Sequence, residues 1–589
     1  MSAINEIEDE EKEKNQPLAE KDEGIREISS NKIKLLYILT VGGVLLIVIL
    51  VAIIVIFVGG SNSNDDNDQN INNKNDTDDN ISDLTNYLTA IYEITDDNLE
   101  YILFNELYLD SISLIIVDNK TINLSNKHTF NQRGEHNVTI EFNKSLESTE
   151  NMFKSNSYLK RIDFTKFKTK DIKNMIGMFY GCNTLTSLNL TRFDTKKVIN
   201  MSYLFYGCTN IKDIILNNFD TSNVIDMSYM FSGCITISSL DLKSFNTEKV
   251  KEIKYMFYQC QHLENLEIGD NFIISGISDL SGLFSNCFIL TKINITNFDT
   301  SQTIDMSNMF KKCAKLTSID LSKFDTSKVV NMSNMFSDCF ELTSIDISKF
   351  DTSNVEDMHD LFSTCSMIKE INLKNFNTSK VKNMDSMFCR CISLESLDLS
   401  NFDTSQVTSM NEMFGFCYLL ENLNLSNFVT SKVTDMSYMF AACTNLISLD
   451  LSSFNTKSVK RLNNMFYNDL NMTNIDLSSF DTSNTNFIQY MFYGCDSLTS
   501  LDLSNFDTSR VISMNMIFAY CSNLTYIDIS KFSTQSINDE DTDIFPGRSS
   551  NGTIYYNSQL FDRNLINNSF GDWDKYDINS DIDLKYIFN

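Results

Sequence analysis

A 26-residue stretch recurs fifteen times along the chain and constrains its fold more than any other feature. The clearest copy runs from Leu316 to Cys339 and reads LTSIDLSKFDTSKVVNMSNMFSDC. Each copy carries a phenylalanine after Met, Leu or Ile, and thirteen of the fourteen intervals between these phenylalanines are 26 residues, the other being 27. Such a regular period indicates a solenoid, in which each copy forms one coil and buries its apolar face against its neighbours.

Each copy divides into three patterns. The opening L-x-x-I-x-L ends in the alternation of a short strand. The FDTS that follows predicts a turn, because short polar side chains form hydrogen bonds with their own backbone. The closing V-x-x-M-x-x-M-F-x-x-C repeats apolar residues at three- and four-residue steps, which predicts a short helical run with Asn331 as its N-cap. We therefore expect strand, turn and short helix in every coil.

The chain before the repeats divides into three segments. Residues 1–34 are charged and are predicted to be an acidic cytoplasmic tail. Residues 35–58 carry no charge and are long enough to span a bilayer, so they predict a retained transmembrane anchor, the alternative being a signal peptide. Residues 59–83 are predicted to be a flexible acidic spacer. Lys32 and Lys34 before the anchor, and aspartates after it, place the tail inside the cell and the repeats outside.

The rest of the chain is expected to be a capped array. Residues 84–149 are predicted to form an N-terminal cap with strands near 113–117 and 137–142, because the terminal coils of a solenoid need polar-edged caps. The solenoid is assigned to residues 150–532 and a C-terminal cap to residues 533–589.

Two copies depart from the pattern. The single 27-residue interval has its extra residue near Gly269–Asn271, which predicts a bulged loop. A later copy has Asp469 where the others have cysteine. Because a carboxylate is costly to bury, we expect the turn at Asp469 to open outward.

Thirteen of the fourteen cysteines occupy one position of the repeat. Their spacing matches no metal-ligand motif, and stacked coils would place neighbours about 5 Å apart. Disulfides between coils are one interpretation. A column of reduced, buried thiols is the one we prefer, because an odd number of in-register cysteines cannot pair completely. Cys389 lies outside the column and is predicted to be exposed.

Composition and motifs argue against two classes of function. The net charge of −30 makes nucleic acid a poor partner, because phosphate binding needs basic patches. Four histidines stand far apart, and no catalytic or nucleotide-binding motif occurs. We therefore expect no enzyme activity, no cofactor and no metal site, the alternative being an enzyme whose site lies in the N-terminal cap.

The residues that flank the buried positions of each predicted strand should form an exposed row along the solenoid. Aspartate and serine dominate this row, so a ligand would meet a regular acidic, hydroxyl-lined strip suited to many weak contacts. The alternatives are that these aspartates only solubilise the sheet, or that they hold a weakly bound cation such as calcium. The candidate ligand face consists of Ser318, Asp320, Ser322, Asp346, Asp398, Asp450, Asp476 and Asp502.

The pattern L-x-S-L-D-L-S-x-F-D-T-S-x-V-x-x-M-x-x-M-F-x-x-C resembles the leucine-rich repeats of BspA-like surface proteins of bacteria and parasitic protists. The resemblance covers about two-thirds of the chain, from Met152 to Phe532. It implies an α/β repeat solenoid, a leucine-rich-repeat-like right-handed coil with short strands on one face and short helical turns on the other. It also implies display on the cell surface and adhesion to host proteins, host cells or other microbes.

Function is therefore expected in adhesion or recognition. The chain would be a single-pass plasma-membrane protein, and its extracellular repeats would bind a protein or surface ligand of a host or of other microbes, with no nucleic acid partner. The alternative is a passive structural or antigenic coat protein without a defined ligand.

Overall fold

The repeats wind into a solenoid whose coils bond to one another through the backbone. The computed structural model describes residues 85–537, 544–547, 551–562, 569–570 and 572–578. The predicted tail and anchor, and the spacer up to residue 83, lie outside these ranges. Within them, no helix is long and apolar enough to cross a membrane.

The predicted N-terminal cap is an antiparallel sheet. Its five strands lie in the order β4-β3-β6-β1-β7. The predicted strands at 113–117 and 137–142 are confirmed as parts of β3 and β6. The elements of this region are β1 Tyr87–Ile94, β2 Glu100–Ile102, a 3₁₀ helix Glu106–Ser111, β3 Ile112–Val117, β4 Lys120–Ile122, β5 Lys127–Thr129, β6 Gly134–Phe142 and β7 Leu159–Asp163.

Strand β7 joins the cap to the array. It pairs antiparallel with β1 of the cap, although it belongs to the first coil of the repeats. One buried apolar core then continues from Leu88 in the cap to Trp573 near the C-terminus. The sheet of residues 87–163 therefore shares its core with the solenoid.

The solenoid strands are parallel and occur towards its two ends. They pair in the order β8-β9, β10-β11 and β12-β13-β14-β15, so the last two strands extend the array into the predicted C-terminal cap. Between them the chain keeps the alternation of buried and exposed residues, with Leu321 buried and Ile319 half-buried. The strands are β8 Ser187–Asn189, β9 Asp213–Ile215, β10 Ser239–Leu242, β11 Asn265–Ile268, β12 Ser500–Asp502, β13 Tyr526–Asp528, β14 Thr553–Tyr556 and β15 Asp574–Asp577.

The predicted helical turns are wrong. Between residues 150 and 532, all of which are described, no α-helix occurs. The N–H groups of Met332, Asn334, Phe336 and Asp338 donate to carbonyls of the next coil at 2.8–3.0 Å, while Met335 closes a local turn onto Met332 at 3.2 Å. Asn334 and Asp338 have φ of 57° and 58°, which an α-helix does not allow. The segment is a succession of turns, and the same pattern recurs in other coils.

The residues predicted as N-caps still make the predicted type of hydrogen bond. Asn331 Oδ1 accepts the backbone N–H of Ser333 at 3.0 Å, two residues ahead, although no helix begins there. Asn331 also forms single parallel bridges with Asp305 and Asp357 in the two neighbouring coils. The short polar side chain therefore turns the chain beside a ladder between coils.

A column of stacked phenylalanine rings fills the centre of the solenoid. Neighbouring rings are 5.4–6.0 Å apart between centroids and within 20° of parallel, from Phe153 to Phe518. All fifteen rings are buried. The residue that sets the register of the repeat in the sequence is thus also the centre of the core.

The 27-residue interval accommodates its extra residue as predicted, without breaking the core. Thr247 Oγ1 donates to the carbonyl of Ile273, 26 residues ahead, where the equivalent threonines reach 25 residues ahead. Phe272 stays buried in its column. A Cβ on Gly269 would lie 2.5 Å from the Lys243 carbonyl oxygen, so the extra residue needs glycine there.

The threonine of the FDTS turn is buried and joins consecutive coils through two hydrogen bonds. Thr404 Oγ1 donates to the Val429 carbonyl at 3.0 Å and accepts the Val429 N–H at 2.7 Å. Asp403 makes the predicted local bond, accepting the Ser405 N–H at 2.9 Å. The sequence pattern predicted the turn but gave no sign of this second bond.

Replacing Thr404 by valine keeps the shape of the side chain and removes both bonds between coils. We expect Thr404→Val to lower the free energy of unfolding by about 1–3 kcal/mol, because a backbone N–H and a carbonyl lose their partner. Urea unfolding followed by circular dichroism measures this. The control is Thr408→Val in the same coil, whose exposed hydroxyl bonds to the Lys382 carbonyl at 3.0 Å and should change the free energy little. Equal losses in both variants would contradict the role of the buried threonine.

Candidate functional site

The predicted ligand face forms an exposed row, and its aspartates share one geometry. Asp320 Oδ1 accepts the N–H of Ser322 at 2.9 Å, two residues ahead. Asp346 does the same with Ser348 at 3.0 Å and also accepts its hydroxyl at 2.6 Å. The other aspartates of the row, Asp398, Asp450, Asp476 and Asp502, bond in the same way to the serine two residues ahead at 2.9–3.1 Å.

These hydrogen bonds hold the row ionised. The bonds from the serine two residues ahead lower the pKa of Asp320, Asp346, Asp398 and Asp450. Their side chains remain exposed. The row, here called the acidic strip, therefore presents exposed negative charges at neutral pH.

The acidic strip is interrupted by neutral residues that the sequence prediction passed over. Asn372 and Asn424 occupy the equivalent positions in their coils and make the same bond to the residue two ahead, at 3.3 and 3.1 Å. Asparagine can replace aspartate there because the turn uses only Oδ1. The turn therefore forms with or without a negative charge at this position. Among the described residues, no group of three or more His, Cys, Asp or Glu could hold a metal ion.

The cysteine column consists of free, buried thiols, as predicted. Each Sγ lies 3.0–3.3 Å from the carbonyl oxygen of the column phenylalanine in the preceding coil, as in Cys339 with Phe310. Burial raises the pKa of the Cys339 thiol well above its usual value. Protonated thiols of this kind act as small apolar residues with a weak S–H donor.

The prediction that Cys389 is exposed is wrong. Its side chain is buried and its Sγ lies 3.4 Å from Glu412 Oε2. It directly follows Phe388 of the ring column. Its backbone N–H closes a turn onto the Ser386 carbonyl at 3.0 Å and its own carbonyl accepts the Thr364 N–H at 2.7 Å. The position is therefore held between coils, which the sequence alone did not indicate.

The prediction that Asp469 turns outward is also wrong. The residue is fully buried, and neither carboxylate oxygen makes a hydrogen bond. Burial raises its pKa well above the usual value, and the nearby backbone N–H of Cys443 offsets this only in part. Backbone hydrogen bonds on both sides of Asp469 explain why its side chain points inward. The Asn468 N–H bonds to the Tyr493 carbonyl at 2.6 Å, and the Met472 N–H bonds to the Asp469 carbonyl at 3.3 Å. The backbone bonds keep the coil in register and the side chain points into the core.

The histidines of the cap contact their own neighbourhood. His136 Nδ1 lies 2.6 Å from Asp118 Oδ2, and its Nε2 lies 2.9 Å from the Gln132 carbonyl oxygen. His128 packs edge-on against Phe130, with ring centroids 4.7 Å apart. Both ring nitrogens of His136 are therefore held by protein groups, an arrangement that orients the ring within the cap.

Comparison with protein families matches the chain over residues 120–189, 183–287, 265–372, 339–447, 364–476, 442–556 and 467–588, which span both the repeats and their flanks. The family is described as "Mycoplasma protein of unknown function, DUF285". The chain belongs to the DUF285 family. The match does not name the BspA-like proteins, so the BspA-like resemblance stays an interpretation of the repeat pattern.

Further comparisons add little to the DUF285 assignment. No match was found among curated proteins. Among solved structures, the functional domain of InlJ from Listeria monocytogenes, which includes a cysteine ladder, is 13% identical and covers 63% of this chain and 74% of its own. The TM-score is 0.16, so this likeness carries no argument about the present chain.

Proposed function

We propose that this DUF285 protein is a membrane-anchored cell-surface protein whose acidic strip binds surface molecules of a host or of other microbes. The apolar segment 35–58 would be the anchor and residues 59–83 the spacer that links it to the rest of the chain. The observation that carries the proposal is the row of exposed, ionised aspartates at the same position of successive coils. A passive coat protein is the competing proposal, and the same experiment separates the two.

The chemistry of the acidic strip defines the kind of partner. Parallel neighbouring segments lie about 4.8 Å apart, and the aspartates of the strip are one or two coils apart, so charges recur about every 5–10 Å along the solenoid. A partner that presents repeated cationic groups would make many weak contacts, and their combined strength would come from avidity. Isolated exposed charge pairs contribute little, so binding should depend on several aspartates together.

The test removes the charge of the acidic strip and keeps its turns. The variant Asp320→Asn, Asp346→Asn, Asp398→Asn and Asp450→Asn retains Oδ1 as the acceptor of each turn. We expect cell or matrix adhesion of the full chain to weaken by about tenfold or more, because avidity is lost with the sites. Adhesion is measured on host matrix proteins, host cells and microbial surfaces, and circular dichroism checks that the variant is folded.

A matched control removes the same number of charges from another row. Asp325, Asp351, Asp403 and Asp481 lie in the FDTS turns and accept the N–H two residues ahead at 2.9–3.0 Å, as the aspartates of the strip do. Their change to asparagine should leave adhesion unchanged. If the strip variant adheres normally while changes around Ser113 to Phe142 abolish adhesion, the binding site is in the cap. If the unmodified chain binds no surface, the coat-protein proposal is favoured.

A further inference from the structure

A row of cations runs along a different face of the solenoid, although the chain as a whole is strongly acidic. At the position eight residues before the column phenylalanine, six coils carry a cation, and the coil before each of them carries a neutral or acidic acceptor there. The cations of this row are Lys197, Lys249, Lys328, Lys380, Lys432 and Arg510. We call these six residues the cationic row, and all of them are exposed.

Each cation of the row is held by a hydrogen bond to the preceding coil. Each cation donates to the side-chain oxygen of the residue 26 positions earlier, in the preceding coil. Five of these acceptors are neutral amides, as in Lys249 with Asn223 at 2.7 Å and Lys380 with Asn354 at 2.6 Å. These five cations therefore have an amide rather than a carboxylate as hydrogen-bond partner, whereas Lys197 pairs with the Asp171 carboxylate at 2.9 Å. The remaining amide pairs are Lys328 with Gln302, Lys432 with Gln406 and Arg510 with Asn484, at 2.5–2.6 Å.

Exposed apolar side chains lie beside the cationic row. The residue two positions later in each coil also points outward, because the one between them is buried. Ile199, Ile225 and Ile304 at this position are 49%, 47% and 49% exposed. Backbone bonds join them to lysines in the same column, since the Lys251 N–H bonds to the Ile225 carbonyl at 2.8 Å and the Ile199 N–H to the Lys173 carbonyl at 2.9 Å.

The two columns form one surface. A hollow of about 360 Å³ is lined by residues from both columns across four coils: Ile304, Lys328, Val330, Asn354, Glu356 and Lys380. The cationic row therefore does not stand alone, because isoleucine and valine side chains lie between its lysines. Lysines surrounding exposed aliphatic side chains are typical of a protein surface that rests on a membrane.

We propose that the cationic row and the adjacent exposed isoleucines dock this solenoid along a membrane surface that carries anionic lipid. The lysines would bind the negatively charged headgroups, and the isoleucines would enter the boundary between headgroups and acyl chains. Neighbouring cations of the row are two or three coils apart, about 10–15 Å, so several would meet the surface together. A sulfated glycan would satisfy the lysines but gives no role to exposed isoleucines. This proposal is independent of the acidic strip and of the anchor.

The experiment measures which lysines an anionic membrane protects. The full chain is presented to vesicles of phosphatidylcholine with and without phosphatidylglycerol, and acetylation of each lysine is followed by mass spectrometry. We expect Lys249, Lys328, Lys380 and Lys432 to be protected by vesicles with phosphatidylglycerol only, and protection to fall as salt screens the charges. Exposed lysines of other faces, such as Lys323, should react equally with both kinds of vesicle. Insertion of residues 35–58 would occur in both, so it does not affect the comparison.

Variants of matched charge complete the test. Changing Lys249, Lys328, Lys380 and Lys432 to glutamine should weaken the phosphatidylglycerol-dependent binding of the solenoid to vesicles by about tenfold or more. The reason is that each lysine near an anionic surface contributes to binding. Changing Lys292, Lys323, Lys349 and Lys374 to glutamine removes the same charge from other exposed positions and should not. Equal protection by neutral vesicles, or equal loss in both variants, overturns the proposal. Protection by heparin without protection by phosphatidylglycerol vesicles would assign the row to an anionic glycan instead.

Discussion

Replacing Asp469 by cysteine is expected to stabilise the protein. At neutral pH we expect the free energy of unfolding to rise by about 3 kcal/mol or more, because the change removes a buried carboxyl group without a hydrogen-bond partner. The new thiol would complete the column between Cys443 and Cys495, where each sulfur contacts a phenylalanine carbonyl. Urea unfolding of the two proteins measures the difference.

The pH dependence identifies the carboxyl group as the cause. Burial raises the pKa of Asp469 in the folded state, so the folded protein binds a proton that the unfolded chain releases above about pH 4. The stability contribution of that group is present below the unfolded pKa and is lost as pH rises through the folded pKa. The difference between the natural protein and Asp469→Cys should therefore be small near pH 4 and grow towards neutral pH.

A control variant separates charge from packing. Asp469→Asn removes the charge and keeps a buried polar group, so its stability should be intermediate, and its difference from Asp469→Cys should not change with pH in this window. If Asp469→Cys is no more stable than the natural protein at neutral pH, then the carboxyl group has a partner in solution and its burial is not costly.

Removing one ring from the phenylalanine column is expected to have an effect of similar size and opposite sign. Phe336 is fully buried, with the rings of Phe310 and Phe362 each 5.8 Å away. Phe336→Ala should lower the free energy of unfolding by about 3–5 kcal/mol, the cost of a large cavity in a packed core. Because each coil contacts only its neighbours, the loss should also reduce the cooperativity of unfolding near the middle of the array.

The matched control is a phenylalanine outside the column. Phe416 is half-buried and its ring lies 4.8 Å from the guanidinium carbon of Arg390. Phe416→Ala should lower the free energy of unfolding by less than about 1 kcal/mol. Denaturant unfolding gives the free energies, and limited proteolysis shows whether the array opens near Phe336. Losses of equal size would show that the column is not the main source of core stability.

The repeat pattern predicted which residues are buried much better than it predicted the backbone that buries them. Leu321, Phe324, Met332 and Cys339 are all in the core, as their period required. The helical turns were wrong because residues three and four apart also share a side in a chain of turns. Local spacing cannot show whether an N–H bonds four residues back or 25 residues ahead, in the next coil.

Hydrogen bonds between coils, which local spacing does not show, also explain the wrong predictions for Cys389 and Asp469. Cys389 and Asp469 are polar or variable positions whose neighbours are fixed by bonds between coils, so the backbone decides where each side chain points. The cationic row was missed because its cations occur only in every second or third copy, and a comparison of single copies conceals them. The exposure of the candidate aspartates was predicted because alternation along an extended segment determines which side chains face outward.

The sequence by itself determined the period, the solenoid, the buried columns and two strands of the N-terminal cap, near 113–117 and 137–142. These follow from the spacing of apolar residues, which any structure of this chain must bury. The tertiary structure decided the turns in place of helices, the inward orientation of Asp469 and the second hydrogen bond of Thr404. Each of these features depends on a partner in another coil. Those partners come within hydrogen-bond distance because the coils stack, and not because of the preference of any local segment.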